Sequence, residues 1–285
     1  MQHHESFRAM DTEIDLIVES ASIPLEAGIS LRLLFEQQEQ RFSRFRATSL
    51  LSRLNAGEAV TDALFAAACR LALEANGFSG GLYNPMVLPA LEQAGYATTF
   101  RDVTGGEPVA TDVPRASDCL VVEGDRVTLR DGALDLGGIV KGWTVDLGIE
   151  LLQVRYPNMV INAGGDARCA GRDDGQDGWE MEIEGEPGSA PAWQGLLRGA
   201  LATSSTRKRR WRTAAGGEAH HLIDPRTGVP AESPFVQVSV WAPETWRAEC
   251  WAKAVLIGGE DEARRAAKAG YAVLAVGSDG GVREW

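Results

Sequence analysis

An α+β fold is predicted for this chain by three observations. Its 285 residues are about twice the modal domain length, enough for two domains or one large mixed unit. Strand-like and helix-like segments alternate irregularly, which disfavours a regularly wound βαβ sheet. Thirty-two glycines and 12 prolines provide for many tight turns and close backbone approaches. No repeat or linker forces a boundary, so residues 1–285 are expected to form a single unit, two lobes of about 1–130 and 131–285 being the other division.

The elements follow in order. Glu13 to Glu19 alternates, with Ile14, Leu16 and Val18 on one face, and reads as the first strand. Leu25 to Leu54 lacks proline and carries an apolar stripe through Leu31, Leu34, Phe35 and Phe42, which suits one or two helices. Thr61 to Ala75 reads as a buried helix with Thr61 as N-cap and Gly77 as the residue that ends it. Leu120 to Arg130 is expected to be a hairpin around Gly124-Asp125, and Gly137-Gly138 to open a helix reaching about Val154. Met159 to Asn162, Trp179 to Glu184, Gly195 to Thr203, His220 to Ile223 and Val236 to Trp241 read as strands. Helices over about Thr245 to Leu256 and Asp261 to Lys268, then a strand from Tyr271 to Val276, close the chain.

Composition excludes several classes. Hydrophobic residues make up 44%, ordinary for a globular protein and too many for a disordered one. Lys and Arg number 28 against 40 Asp and Glu, a net charge of −12 that repels phosphate backbones and anionic lipid. Cys69, Cys119, Cys169 and Cys250 form no C-x-x-C pair and are expected to be free, mostly buried thiols in a reducing compartment. The N-terminus has no basic region leading into an apolar one, so no signal peptide is expected. The longest uncharged run, Ala75 to Leu91, is broken by three glycines and two prolines and suits no membrane span. A cytoplasmic protein is the expectation.

The richest segment runs from Leu134 to Asp146, a strand ending in Gly137-Gly138 at a helix start with Lys141 one turn in. Free N–H groups there would suit a phosphate, and a glycine-rich packing turn explains the residues equally well. Asn162-Ala163-Gly164-Gly165-Asp166 is a turn with a carboxylate at its tip, and Ala202 to Thr206 ends a strand in four hydroxyls. Five basic residues lie within Arg207 to Arg212 around Trp211, a pattern that nucleic acid could use, although the acidic whole favours a solvated strand or a phosphate contact. His221, beside the Asp224-Pro225 turn, is a candidate acid/base group.

Taken together and in order, these segments resemble the ApbE family of FAD:protein FMN transferases over nearly the whole chain. Phe7 to Thr12 is similar to its Met-Gly-Thr element, Phe42-Ser43-Arg44 through Asn55 to its Phe-Ser helix, and Gly81 to Pro85 to Gly-Ala-Phe-Asp-Pro. Leu134 to Asp146 resembles Asp-Leu-Gly-Gly-Ile-Ala-Lys-Gly-Tyr-Ala-Val-Asp, and Asn162 to Asp166, Ala202 to Thr206 and His221 to Gly228 resemble its remaining motifs. Asp11 for Gly, Asn84 for Asp and Ser205 for Gly are departures.

The resemblance implies an FAD cleft between two halves of an ApbE-like fold, lined by Met10, Leu82, Tyr83, Asn84, Asp135, Lys141 and Ile223, with Asp146 and Thr206 close by. It implies transfer of FMN from FAD to a Thr or Ser hydroxyl of an acceptor protein, with release of AMP. Lys141 and Lys253 would supply positive charge, and His221 is the candidate base. The family's magnesium ion would fall at Gly138, Glu249 and Ala252, but Lys253 stands where a hydroxyl ligand is expected, and an ammonium has no lone pair to offer. Glu249 and Lys253 are spaced for an i, i+4 ion pair instead. The other readings are an FAD-binding carrier or sensor that has lost transfer, and a nucleic-acid or scaffold protein using residues 207–212.

Overall fold

Period-two burial builds the centre of the molecule. In Thr12–Glu19, Ile14, Leu16 and Val18 are buried while Asp15 and Ile17 between them are not, so one face of the strand meets the core. The computed structural model describes residues 1–285 except Thr104, Asp173, Asp174 and Pro187.

Eight antiparallel strands form the main sheet: β1 (Gln2–Ala9), β2 (Thr12–Glu19), β3 (Met159–Ala163), β4 (Asp166–Ala170), β5 (Ala200–Ser205), β6 (Phe235–Ala242), β7 (Ala272–Gly277) and β8 (Val282–Glu284). They lie side by side in chain order, so everything else is an insertion between neighbours. Because β2 pairs with β3 from Ile14↔Ala163 to Val18↔Met159, a division near residue 130 would cut hydrogen-bonded strands apart. The first twenty residues thus pair with strands of the C-terminal half of the chain.

Helices α1 (Leu25–Phe42), α2 (Leu50–Asn55), α3 (Ala63–Phe78), α4 (Val140–Leu152), α5 (Thr245–Gly258) and α6 (Glu260–Lys268), with short helices at Leu88–Gln93 and Ala116–Cys119, accompany the sheet in this α+β fold. Leu31 and Phe35 of α1 and Val145 and Ile149 of α4 pack on Ile14, Leu16 and Ile161 of the sheet. Trp251 and Val255 of α5 and Ala263 and Ala266 of α6 pack on Val238 and Val240. Val160, Ala167 and Leu201 point to the opposite face, where the hairpin Trp179–Ile183 with Trp193–Leu197 covers them. A second body gathers Phe42, Leu54, Phe65 and Cys69 around a small sheet of Val60–Thr61, Arg126–Leu129 and Leu120–Glu123.

Several boundaries differ from the sequence reading. Strand β1 precedes the expected first strand; only Phe7 of its eight residues is buried, as suits a charged edge strand with little periodic signal. Asp62, not Thr61, caps α3 by accepting the Phe65 N–H at 2.8 Å, and the helix runs through Gly77 to Phe78. Helix α4 begins at Val140 rather than at Gly137-Gly138. The strand expected over Gly195 to Thr203 is two, parted at Gly199 with φ of 78°. All four cysteines are free and buried, as expected. Among the described residues no helix is long and apolar enough to cross a membrane.

Candidate active site

Two tight turns lie side by side at one end of the sheet. Met10-Asp11 joins the paired Ala9 and Thr12 with both residues at positive φ, 49° and 56°, the conformation of a two-residue hairpin loop that glycine or asparagine usually fills. Holding Met10 there costs about 1–2 kcal/mol, and backbone strain of this kind gathers at working sites. Gly164-Gly165 joins Ala163 and Asp166 in the same manner, and the Thr12 side chain fills the space that a Cβ on Gly164 would need. Over these turns opens a cleft of about 760 Å³, within the range of small-molecule sites.

Four charges form its floor. The Lys141 ammonium of α4 donates to the Asp166 carboxylate and to the Ala163 carbonyl, the latter at 3.0 Å. The Lys253 ammonium of α5 donates to Glu249 Oε1 at 2.9 Å, and Glu249 Oε2 accepts the Gly142 N–H at 2.9 Å. The carboxylate side chains are 2% and 3% exposed and the lysines 19% and 16%, so the lysine side chains are the cluster's more open members. Burial pushes the Asp166 carboxyl up to about 6, against the pull of Lys141. Burial also acts to raise Glu249, but the Lys253 and Lys141 ammoniums outweigh it and hold the group below its ordinary value. Lys253 is desolvated, yet Glu249 and Asp166 hold its pKa above the ordinary one, so it stays charged.

Four N–H groups around the start of α4 already have partners within the protein. Gly137 N–H donates to Asp135 Oδ1 at 2.6 Å, the N–H groups of Ile139 and Val140 donate to the Leu136 carbonyl, and Gly142 serves Glu249. The glycines make a packing turn: a Cβ on Gly138 would sit 3.1 Å from Lys253 Cε and 3.2 Å from Tyr83 Cε2.

The walls bring together Met10, Leu82, Tyr83, Asn84, Asp135, His221 and Ile223. Asn84 lines the cleft but its amide is engaged structurally, accepting from Met86 N–H and donating to the Pro114 carbonyl, each at 3.0 Å. The Tyr83 hydroxyl is buried without a hydrogen-bond partner, and burial raises its pKa well above the ordinary value. His221 Nδ1 is likewise buried and unpartnered; burial, with Arg209 and Lys253 nearby, drives the ring's pKa well below the ordinary one, so the imidazole is neutral.

Three expected residues lie outside the lining. Asp146 joins α4 to α5, accepting from Thr245 N–H and Oγ1, each at 2.8 Å, from Trp246 N–H at 3.0 Å, and from Arg168 at 2.9 Å. It caps a helix, because a buried carboxylate there satisfies amides that no other group reaches. Thr206 hydrogen-bonds through its N–H to the Val236 carbonyl at 3.1 Å, and Ala252 is fully buried in the core beneath α5. The basic segment is held largely by pairing within the protein. Arg207, Lys208 and Arg210 pair with Glu186, Glu184 and Glu218, and Trp211 is buried, its indole N–H donating to the Ala94 carbonyl at 2.8 Å.

Residues 10–276 match the model of the ApbE family. The chain belongs to that family. It is 27% identical over 269 residues to an FAD:protein FMN transferase of Vibrio cholerae, spanning 88% of this chain and 80% of that one. A Treponema pallidum protein of the same name is 28% identical over 262 residues, 80% of this chain and 70% of its own. The fold superimposes on the crystal structure of the ApbE protein of Thermotoga maritima with a TM-score of 0.88 at 22% identity, covering 99% of this chain and 96% of that one. For the apo form of Pseudomonas stutzeri flavinyl transferase ApbE the TM-score is 0.82 at 21% identity, with 100% and 94% covered. As an ApbE family member, the chain is an enzyme of the transferase class.

The magnesium that such membership implies does not fit the residues present. Both Glu249 oxygens are engaged, the Lys253 side chain packs against Gly138, and among the described residues no three His, Cys, Asp or Glu side chains converge. Magnesium demands near-octahedral oxygen ligation. A dication about 4 Å from the ammonium would be repelled by about 8 kcal/mol at an effective dielectric near 20.

Arg44 and Gln38 escaped the sequence reading as site residues. The Arg44 guanidinium lies 4.2 Å from the Phe45 ring centroid and 4.5 Å from that of Tyr96, and its Nε meets Asp135 at 3.1 Å. Its Nη1 and Nη2, and both polar atoms of Gln38, are buried without hydrogen-bond partners at the cleft. The available signal was a polar residue inside an apolar stripe, as Gln38 is in α1.

Proposed function

We propose that this ApbE family member is an FAD:protein FMN transferase, with FAD in the cleft and a Thr or Ser hydroxyl of an acceptor protein as the target. The observation that carries the reading is the convergence of unpartnered buried polar atoms, from Gln38, Arg44, Tyr83 and His221, on one charged cleft. Buried polar atoms normally have partners, so a cluster lacking them suits a bound polar molecule. A flavin nucleotide presents ring carbonyls, hydroxyls and a pyrophosphate to such a surface.

In the transfer, the acceptor hydroxyl oxygen forms a bond to the phosphorus of the FMN half. The bridging P–O bond breaks with its electron pair remaining on AMP, and the hydroxyl proton passes to a base. The neutral His221 ring, with a free Nδ1 beside Lys253 and Arg209, is the proposed acceptor of that proton; an anionic pyrophosphate offsets the two cations and raises its basicity. Lys141 and Lys253 hold positive charge against the phosphates.

Mass spectrometry of a flavin-acceptor domain incubated with this protein and FAD tests the reading. The expected result is a mass gain of one FMN less water on a Thr or Ser, abolished when FMN replaces FAD. His221→Ala should lower the rate by about 10²-fold or more while FAD binding persists. Bound FAD with no mass gain would instead support a flavin carrier.

A further inference from the structure

We propose that the Lys253–Glu249 pair takes the place of a divalent cation at the floor of this cleft, so that the chain holds a nucleotide pyrophosphate without magnesium. The inference rests on the proposed flavin substrate and concerns which charge meets its phosphates.

The floor is electrostatically complete as it stands. Two buried carboxylates, Asp166 and Glu249, would attract a dication if left alone, but each already has an ammonium in contact, Lys141 on one and Lys253 on the other. The four charges sum to zero, and the two positive ones lie on the cleft side. Both Glu249 oxygens already have a partner inside the protein: Oε1 accepts from Lys253 and Oε2 from the Gly142 N–H. The Lys253 stem runs against Gly138 beside the Tyr83 ring, so its position is set by packing as well as by charge. An ammonium has three donors, and the contact with Glu249 uses one, which leaves donors for phosphate oxygens. Helical spacing makes the arrangement self-contained, because residues i and i+4 meet on one helix face whatever else the fold does.

Two binding measurements, neither needing turnover, decide the matter. In the first, Mn²⁺ is titrated into the protein alone and with FAD, and its EPR signal is followed. The expected result is free aqueous Mn²⁺ throughout; a stoichiometric, ordered ion would overturn the proposal. In the second, FAD affinity is measured by flavin fluorescence in EDTA and in excess Mg²⁺. Equal affinities are expected, and Lys253→Met should weaken binding by roughly tenfold or more, the worth of a hydrogen bond to a charged group.

Because that variant leaves Glu249 buried and unpaired, Lys253→Met combined with Glu249→Gln is made alongside it; the folded double variant should lose a similar amount. Magnesium-dependent FAD binding in the unaltered protein, or unweakened binding in the double variant, would overturn the proposal. Failure of the protein to bind FAD at all would overturn the functional reading, and the Mn²⁺ titration on the protein alone would still judge this one, an ordered ion against it and a free ion for it.

Discussion

Asp166 shows how burial sets the behaviour of one residue here. It is 1% exposed, and its carboxyl is raised from the ordinary 3.8 to about 6. The folded state therefore binds this proton more tightly than the unfolded chain does. That contribution to stability is fully present below about pH 4 and is lost as pH rises through 6, at about 1.4 kcal/mol per pH unit between the two values. Urea denaturation across this window should show unaltered protein losing stability relative to Asp166→Asn as pH rises. Parallel pH profiles for the two proteins would mean that Asp166 titrates at its ordinary value. Above pH 6 the ionised carboxylate keeps Lys141 in place over the Gly164-Gly165 turn.

Among the elements, the end of α2 decides where the site's main loop sits. Asn55, the last residue of α2, donates from Nδ2 to the Leu134 carbonyl at 2.9 Å and accepts the Leu134 N–H at 2.8 Å. This two-way bridge behaves as a short piece of β-ladder made by a side chain, and it anchors the segment that carries Asp135, Gly138 and then α4. Asn55→Ala leaves both Leu134 groups without partners and should cost about 1–3 kcal/mol in chemical denaturation. Asn55→Asp should cost more, since a carboxylate oxygen then faces the Leu134 carbonyl oxygen with no hydrogen between them. Similar stability for Asn55→Asp and the unaltered protein would refute the bridge. The helices on either side are anchored by the same economy of short polar side chains, Ser49 capping α2 and Asp62 capping α3.

At the scale of the molecule, an antiparallel sheet in chain order places the β1–β2 and β3–β4 turns together at one end, and the long insertion between β2 and β3 closes over them. The cleft is thus walled by parts of the chain far apart in sequence, from Arg8 to Ile257. Its floor is cationic on the open side although the whole protein carries a net charge of −12. A ligand with a pyrophosphate should therefore gain most there. FAD is expected to bind more tightly than FMN, by roughly tenfold or more, from added charge-assisted contacts alone. Calorimetry on the two nucleotides checks this, and equal affinities would place the adenylate half outside the cleft.

Local features were legible in the chain. The alternation of Ile14, Leu16 and Val18, the two-residue turn at Gly124-Asp125 and the Glu249–Lys253 pair each follow from spacing within one element, because strand and helix periodicity alone decides which side chains meet. The family motifs were legible for the same reason, as short runs in a fixed order. What those runs do to one another emerged only on packing. Asp146 stood beside Lys141 in one motif, yet it faces away to cap α5 across 99 residues, while Lys141 reaches Asp166 across 25. Arg44 meets Asp135, and Gln38 enters the cleft, only once α1, α2 and the sheet are packed together. The partner of a buried charge is set by strand register and helix placement, which depend on the whole core rather than on neighbours in the chain.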